Sequence, residues 1–194
     1  PRFAMAYVCR GNMIQNAGDL DGAMADFGEA IRCDPRNVAG YSGRGYLRRK
    51  KGDLKGAIAD YSEAIRLEPD YARGWRNRAS VRREDGDLDG AMADFEEAIR
   101  CDPRSAAAYN LRGSARKDKG DRNGAFADFS EAIRLEPGLA PAWRYRADVR
   151  RENGDLDGAI ADYSEAIRLN PRYVAAYTNR AAALIAKGER KSAI

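Results

Sequence analysis

The phrase GDLKGAIADYSEAIRLEP occupies residues 52–69, and it returns almost unchanged as GDLDGAIADYSEAIRLNP at residues 154–171. The two copies begin 102 residues apart, which is three periods of 34 residues. Proline and glycine keep the same 34-residue interval along the chain, at Pro35, Pro69, Pro103, Pro137 and Pro171 and at Gly18, Gly52, Gly86, Gly120, Gly154 and Gly188. Two independent markers with one spacing predict a tandem array of one structural unit.

Each unit is predicted to contain two α-helices. The second half of the quoted unit has apolar residues at spacings of three and four, which is one face of a helix: Ala57, Ile58, Tyr61, Ala64, Ile65 and Leu67. The glycine suits the left-handed cap of the first helix, and the aspartate after it suits the N-cap of the second. The proline ends the second helix one or two residues earlier. The first helix fills a stretch such as 72–85, and the alternation typical of strands is absent.

Small residues recur where the two helices of a unit should meet. Each unit has one glycine or alanine in its first helix and two alanines in its second, as in Gly45, Ala57 and Ala64. Small side chains allow helix axes to approach closely. The aromatic residues at each unit's two fixed positions should then fill the gaps between neighbours. Because one helix pair cannot bury both of its faces, the pairs should stack into an all-α, right-handed solenoid with nearest-neighbour contacts.

Composition agrees with a folded protein that has no catalytic chemistry of its own. Hydrophobic residues make up 44% of the 194 residues and charged residues 33%, and no apolar run approaches the roughly 20 residues of a membrane-spanning helix. The net charge of +4 and the pI near 9.0 permit acidic partners without requiring them. Histidine is absent, which removes the commonest general base and metal ligand. No enzymatic activity, cofactor or metal site is expected.

The three cysteines are predicted to be structural. Cys33 and Cys101 stand where other units have Leu67, Leu135 and Leu169, so they are expected to be small apolar core residues. An odd and widely spaced set, completed by Cys9, argues against a disulfide framework and favours a reducing, cytoplasmic compartment.

The 34-residue helical hairpin resembles the tetratricopeptide repeat. Its expected residues are matched, in one unit, by Trp75, Ala79, Gly86, Ala91, Phe95, Ala98 and Pro103. The resemblance divides residues 1–194 into a single array with repeats at 4–37, 38–71, 72–105, 106–139 and 140–173 and a partial sixth repeat at 174–194. The chain is expected to be an excerpt of a longer protein. The resemblance implies a scaffold for protein–protein interaction.

Two departures from the family pattern place arginine in the first helix. The position usually held by leucine is Arg10, Arg44, Arg78, Arg112, Arg146 and Arg180, and a later tyrosine position is Arg48, Arg82, Arg116 and Arg150. Every complete repeat also has an aspartate beside its second-helix aromatic: Asp26, Asp60, Asp94, Asp128 and Asp162. We hypothesise that the first arginine row pairs with the aspartates, since a guanidinium can engage a carboxylate bidentately. The alternative is a solvated row of charges.

The resemblance also implies a groove lined by the first helices. The implied positions hold eight basic residues (Arg49, Lys50, Arg73, Arg76, Arg83, Lys117, Arg144 and Arg151) and four acidic ones (Glu84, Asp118, Asp148 and Glu152). A net positive groove favours a peptide or protein segment that is acidic or bears a free carboxylate. The residues expected to contact it are Asn12, Tyr46, Arg49, Arg73, Arg76, Asn77, Arg83, Asn110, Lys117, Arg144 and Arg151. Alternatively, these surface charges vary because nothing constrains them.

One subfamily of tetratricopeptide domains grips chaperone C-termini with a clamp of Lys, Asn, Asn, Lys and Arg. Those places are here Val8, Asn12, Gly43, Arg73 and Asn77, of which Asn12 and Arg73 suit the role. The clamp is therefore incomplete, and the chain is not expected to be a co-chaperone of this kind.

Two other functions are alternatives to peptide binding. Basic clusters at the ends of the first helices, such as residues 48–51 and 82–83, could follow a nucleic-acid backbone, but acidic residues stand close by and few aromatic residues are exposed for base stacking. Self-association is the other: the apolar run 181–186 of the partial repeat, with Ile185 in place of a usual Arg or Lys, should need a covering neighbour.

Overall fold

The computed structural model describes residues 2–188, with the side chain of Arg2 left out, and these residues form eleven α-helices. They divide into two compact units. The first ends at Pro103 and contains α1 (Arg2–Asn16), α2 (Leu20–Cys33), α3 (Val38–Lys50), α4 (Leu54–Leu67), α5 (Ala72–Glu84) and α6 (Leu88–Cys101). The second starts at Arg104 and contains α7 (Ala106–Asp118), α8 (Arg122–Leu135), α9 (Ala140–Glu152), α10 (Leu156–Leu169) and α11 (Val174–Lys187).

The periodic glycine, aspartate and proline residues mark the helix ends as predicted. The six periodic glycines have φ between 81° and 95°, the left-handed region that residues with a Cβ rarely adopt. In each complete hairpin the following aspartate accepts a hydrogen bond from the backbone N–H three residues on, as Asp53 does from Gly56 at 2.9 Å. Second helices end two residues before each proline, as α4 does at Leu67. The helical hairpins and their 34-residue unit are therefore confirmed.

The two helices of a hairpin meet through the predicted small residues. Gly45, Ala57 and Ala64 are buried, and a Cβ added at Gly45 would lie 3.2 Å from Asp60 Cβ and 3.3 Å from the Tyr61 ring. Alanines at the equivalent places in the other hairpins are also fully buried, among them Ala91 and Ala159. Close approach of the helices thus depends on the absence of larger side chains at these points.

The aromatic residues are buried unequally. Those of the second helices, Phe27, Tyr61, Phe95, Phe129 and Tyr163, are at most 1% exposed and form the core. Those of the first helices are half-buried, apart from Tyr177, which is exposed because no helix of the described chain covers it. Each first-helix aromatic supports the guanidinium of the arginine three residues later, as Trp75 does for Arg78 at 4.9 Å from the ring centroid. The expectation that both aromatic positions fill gaps between neighbours therefore holds fully only for the second helices.

The arginine and aspartate rows pair as hypothesised. Arg10, Arg44, Arg78, Arg112 and Arg146 each donate two hydrogen bonds to the aspartate sixteen residues later, at distances of 2.6 to 3.0 Å. All five aspartates are buried. In the four hairpins from the second to the fifth, the second arginine row also reaches the carboxylate; Arg82, for example, lies 3.1 Å from Asp94. Both departures from the family pattern therefore serve one buried carboxylate per hairpin.

The prediction for the cysteines is wrong in part. Cys33 is exposed and Cys101 is half-buried. The position is the last residue of the second helix, at the rim of the hairpin, and the leucines that occupy it elsewhere are also only half-buried. Cys9 is exposed too. The position therefore tolerates a small residue because it is not part of the core.

The single array over residues 1–194 stays a prediction, and the last part of the predicted sixth repeat, residues 189–194, lies outside the described residues. Every helix within residues 2–188 is too short or too polar to cross a bilayer.

Candidate functional site

The predicted groove residues fall on the first helices of both units. Asn12 lies on α1, Tyr46 and Arg49 on α3, and Arg73, Arg76, Asn77 and Arg83 on α5. In the second unit, Asn110 and Lys117 lie on α7, and Arg144 and Arg151 on α9. The surroundings of these residues differ between the two units.

The first unit has an open cavity of about 380 Å³ over α1, α3 and α5. Four predicted residues line it, namely Asn12, Tyr46, Arg73 and Asn77. The other lining residues are Val8, Gln15, Ala39, Ser42, Gly43 and Tyr71, so its walls carry amides, hydroxyls and one guanidinium but no carboxylate. Such a cavity can donate hydrogen bonds to an anionic or polar ligand.

Two groups of this cavity have no partner within the described chain. Ser42 Oγ is buried and makes no hydrogen bond. Arg73 is exposed, and no carboxylate lies within salt-bridge distance of it among residues 3–188. A buried hydroxyl without a partner is uncommon and indicates a group that a ligand can satisfy.

All five places of the chaperone clamp line this cavity, although only Asn12 and Arg73 suit the role expected there. The structure explains one departure. A Cβ at Gly43 would lie 2.5 Å from Cε1 of Phe27, which is itself 1% exposed. The core ring thus takes the space that an asparagine at position 43 would need.

Two of the predicted cations are engaged by groove acids of the neighbouring helix. Arg49 on α3 donates to Glu84 on α5, with Nε 2.9 Å from Oε2. Lys117 on α7 lies 2.9 Å from Glu152 on α9, which Arg122 also reaches at 3.2 Å. These pairs link adjacent first helices, and they reduce the positive charge that the groove presents.

Arg76 has a different environment. It is half-buried on α5, and no carboxylate within the described chain pairs with it. Burial, and then the nearby charge of Arg73, lowers the pKa of Arg76 from its ordinary value. Arg73 and Arg76 are three residues apart on one helix, so their like charges repel, and the charge of Asp102 offsets this only in part. Arg83, further along α5, is half-buried.

The second unit has a closed polar network at the corresponding surface. Asp148 on α9 is buried; its Oδ1 accepts from the Tyr163 hydroxyl at 2.7 Å and from Asn179 Nδ2 at 2.9 Å. Arg144 donates to Asp148 Oδ2 at 2.7 Å and to the Tyr173 hydroxyl at 2.6 Å. The predicted contact residue Arg144 is therefore held inside this network.

The other two predicted residues of the second unit differ in exposure. Asn110 is buried, and its Oδ1 has no hydrogen-bond partner among the residues that the structure describes. Arg151 is exposed beside Tyr163, and hydrogen bonding with that residue raises the pKa of Arg151. Burial raises the pKa of Tyr163, and the hydrogen bond to Asp148 raises it further.

The family resemblance places Ser42 at a groove position, but sequence reasoning does not identify Tyr71 or the Asp148 network as features of the site. Tyr71 is the residue just before α5. The groove positions that the resemblance implies lie within the first helices, so they do not include it. The sequence indicates Asp148 only as one acid of an open groove. Arg144 is four residues earlier on α9, a spacing that brings the two side chains together, but Tyr163 and Asn179 come from α10 and α11, and no spacing within one helix indicates that they converge on Asp148.

Comparisons with known protein families match the helical hairpins to one repeat family. A model of the tetratricopeptide repeat matches residues 10–72 and 42–106, which together are half of the chain. A second tetratricopeptide repeat model matches 106–138, and a TPR repeat model matches 147–188. The chain belongs to the tetratricopeptide repeat family. No curated protein sequence matches it.

Solved structures of low sequence identity share the fold. PilF of Pseudomonas aeruginosa has a TM-score of 0.89 at 16% identity, over 99% of this chain and 87% of that one. A thermophilic TPR protein of Thermus thermophilus has a TM-score of 0.75 at 22% identity, over 94% and 99%. YrrB, described as a TPR protein with an unusual peptide-binding site, has a TM-score of 0.69 at 19% identity, over 95% and 92%. At these identities the likeness shows the fold.

Proposed function

We propose that this protein is a non-catalytic scaffold that binds an acidic or carboxylate-bearing segment of a partner protein over α1, α3 and α5. Membership of the tetratricopeptide repeat family supports a role in protein–protein interaction. The observation that carries the finer proposal is the cavity of the first unit, whose lining has a guanidinium, three amides and several hydroxyls without a carboxylate.

The charge next to this cavity supports an acidic ligand. Arg73 and Arg76 stand side by side on α5, whereas the half-buried arginines of the paired rows each have a buried aspartate. A ligand carboxylate would offset the repulsion between Arg73 and Arg76 and satisfy donors that the protein leaves unused. Arg49 would contribute mainly by holding α3 against α5 through Glu84.

The described contacts favour peptide binding over nucleic-acid binding. Arg48, Arg82, Arg116 and Arg150 belong to the basic clusters at the ends of the first helices, but each points to a buried aspartate of its own hairpin. A cation engaged in this way contributes little to a continuous basic track along a phosphate backbone.

The proposal is tested with fluorescently labelled hexapeptides that carry three glutamates, and with matched peptides that carry glutamine instead. The acidic peptides should bind more tightly, and binding should weaken as salt is added. The double variant Arg73→Glu/Arg76→Glu should reduce the affinity for the acidic peptides by about tenfold or more, as for the loss of charge-assisted contacts.

The matched control is Arg32→Glu/Arg66→Glu, which makes the same change in net charge on exposed positions of α2 and α4. It should leave peptide affinity nearly unchanged. Equal loss in both double variants, or equal binding of the glutamate and glutamine peptides, would exclude an acidic ligand over α1, α3 and α5.

A further inference from the structure

The network in the second unit shows a carboxylate bound by this fold. Asp148 projects from α9 and is held by a tyrosine hydroxyl from α10, an amide from α11 and a guanidinium from its own helix. It is 5% exposed, so the carboxylate is almost completely enclosed by these donors. The donors come from two consecutive first helices and the second helix between them.

The first unit repeats most of this arrangement 102 residues earlier, without the aspartate. Tyr163 corresponds to Tyr61, Asn179 to Asn77 and Tyr173 to Tyr71, so every uncharged member of the network has the same residue type in both places. Tyr46 stands in the position of Asp148. The positive charge comes from a different helix in each unit. Ser42 on α3 replaces Arg144 on α9, while Arg73 on α5 stands where the second unit has Ala175 on α11.

The donors that remain in the first unit are unused. Neither the Tyr61 hydroxyl nor the Asn77 amide has a hydrogen-bond partner in the described part of the chain, and Ser42 Oγ is buried without one. Asn77, Ser42, Tyr71 and Arg73 all line the open cavity. Burial raises the pKa of Tyr61, whereas the nearby guanidinium groups of Arg49 and, less strongly, Arg73 lower it.

We propose that the first unit binds one carboxylate of the partner between Tyr61 and Asn77, in the place that Asp148 fills by itself in the second unit. Arg73 supplies the positive charge, and Ser42 and Tyr71 are further donors. These three residues line the open cavity together with Asn77, whereas Tyr61 is a core residue, 1% exposed, outside that lining. This inference rests on the proposed function and narrows it. The second unit carries its own carboxylate, so the partner's acid goes to the first unit only.

The chemistry of these donors fits a carboxylate monoanion. A tyrosine hydroxyl and a primary amide each donate one hydrogen bond to a carboxylate in the second unit, and one guanidinium balances its charge. Burial raises the pKa of Tyr61 to about 12, so this hydroxyl keeps its proton and remains a donor at neutral pH.

The test uses a blocked pentapeptide, acetyl-Ala-Ala-Asp-Ala-Ala-amide, whose only charge is one aspartate, and its asparagine counterpart as the neutral control. Binding is followed on the isotope-labelled chain through the side-chain amide resonance of Asn77, assigned by its disappearance in Asn77→Leu. Only the aspartate peptide should give a saturable shift. Tyr61→Phe and Asn77→Leu should each weaken its binding by about tenfold, as for a hydrogen bond to a charged group.

Both substitutions use residues that the repeats already carry at these positions, namely Phe95 and Leu111, so the fold should be preserved. In Asn77→Leu, binding is followed through the backbone amides of α5. Tyr163→Phe, the same change at the equivalent place in the second unit, should not alter peptide binding.

A third variant, Tyr46→Asp, supplies the carboxylate from within the chain. It should move the Asn77 resonance toward the peptide-saturated position without any peptide, and it should abolish binding of the aspartate peptide. If acidic peptides bind but Tyr61→Phe and Asn77→Leu bind them as well as the unaltered chain, the carboxylate lies elsewhere and only this inference fails. If the aspartate and asparagine peptides behave alike, this inference is overturned, and equal binding of the glutamate and glutamine hexapeptides would additionally remove the proposed function.

Discussion

Arg78 makes contacts in three directions at once. Its guanidinium lies 4.9 Å from the centroid of the Trp75 ring, donates twice to Asp94 at 2.8 Å, and donates to Ser62 Oγ at 2.9 Å. The arginine side chain is 13% exposed and the aspartate side chain 3%. The pair therefore belongs to the buried class, in which the loss of one partner leaves an uncompensated charge.

Arg78→Ala should destabilise the protein by about 3 kcal/mol, the lower end of the range for breaking a buried pair, because Arg82 still lies 3.1 Å from Asp94. Thermal or urea unfolding measures the difference. Arg66→Ala, which removes an exposed pair with Glu63, is the control and should have no measurable effect. A negligible change in the stability of Arg78→Ala would mean that the Arg78–Asp94 pair contributes no more than a solvent-exposed ion pair.

Two helical glycines of the first unit should respond oppositely to the addition of one methyl group. A Cβ at Gly43 would meet the buried Phe27 ring at 2.5 to 2.7 Å, whereas a Cβ at Gly28 meets nothing within 4 Å. Gly43→Ala should cost about 1–3 kcal/mol through overpacking. Gly28→Ala should stabilise by about 0.5–1 kcal/mol through helix propensity.

Chemical denaturation of the two glycine variants under one condition provides the comparison. A stabilised Gly43→Ala variant would show that Phe27 can move aside, and it would remove the steric reason given for the missing clamp asparagine.

Each described second helix begins with an aspartate cap, and before α4, α6, α8 and α10 an arginine of the preceding helix lies beside that aspartate. Asp87 accepts a hydrogen bond from the Gly90 N–H at 2.9 Å and lies 3.7 Å from Arg82, which belongs to the preceding helix. The cap satisfies one of the N–H groups that the first turn of a helix leaves without a partner. It therefore stabilises α6 and, through Arg82, the turn before it.

Asp87→Ala should cost about 1 kcal/mol, the usual effect of removing an N-cap. Asp87→Asn keeps the acceptor oxygen and loses only the charge, so it should recover most of the stability. Circular dichroism during urea unfolding is the measurement. Equal losses of stability in Asp87→Ala and Asp87→Asn would show that the ion pair with Arg82, and not the N-cap hydrogen bond, is the stabilising interaction.

The helices could be predicted from the sequence because their signals are local. A glycine with positive φ and an aspartate cap depend only on their own turn, and they recur every 34 residues. The Arg–Asp pairs were also predictable, because both partners recur together in each hairpin. The exposure of Cys33 was not predictable, because it depends on how far the next hairpin covers the C-terminal end of α2. The Asp148 network was not predictable either, because Asn179 is 31 residues away and only packing brings it near.

Stability in a stacked repeat protein is transmitted mainly between neighbouring repeats. The last described helix, α11, contacts α9 and α10, and Val174, Tyr177 and Ile185 remain exposed on it. Two hydrogen bonds connect this part of the chain to α9. Asn179 of α11 donates to Asp148, and Arg144 donates to Tyr173, which is the residue immediately before α11. Among the described helices α11 packs against α9 and α10, whereas α9, a first helix inside the same unit, packs against α7, α8, α10 and α11.

Asp148→Asn should therefore loosen α11 selectively, because the substitution leaves the Arg144 guanidinium, whose side chain is 14% exposed, without its carboxylate. The backbone amides of residues 174–187 should exchange with solvent about tenfold faster, while those of α3 and α5 in the first unit keep their rates. Hydrogen exchange followed by mass spectrometry or nuclear magnetic resonance resolves the two regions. Lys187→Ala, which removes the more exposed contact with Asp157 on α10, is the matched control and should change the rates little. Unchanged exchange in α11 would show that apolar packing alone holds the helix, and an equal increase in α3 and α5 would contradict stabilisation by nearest neighbours.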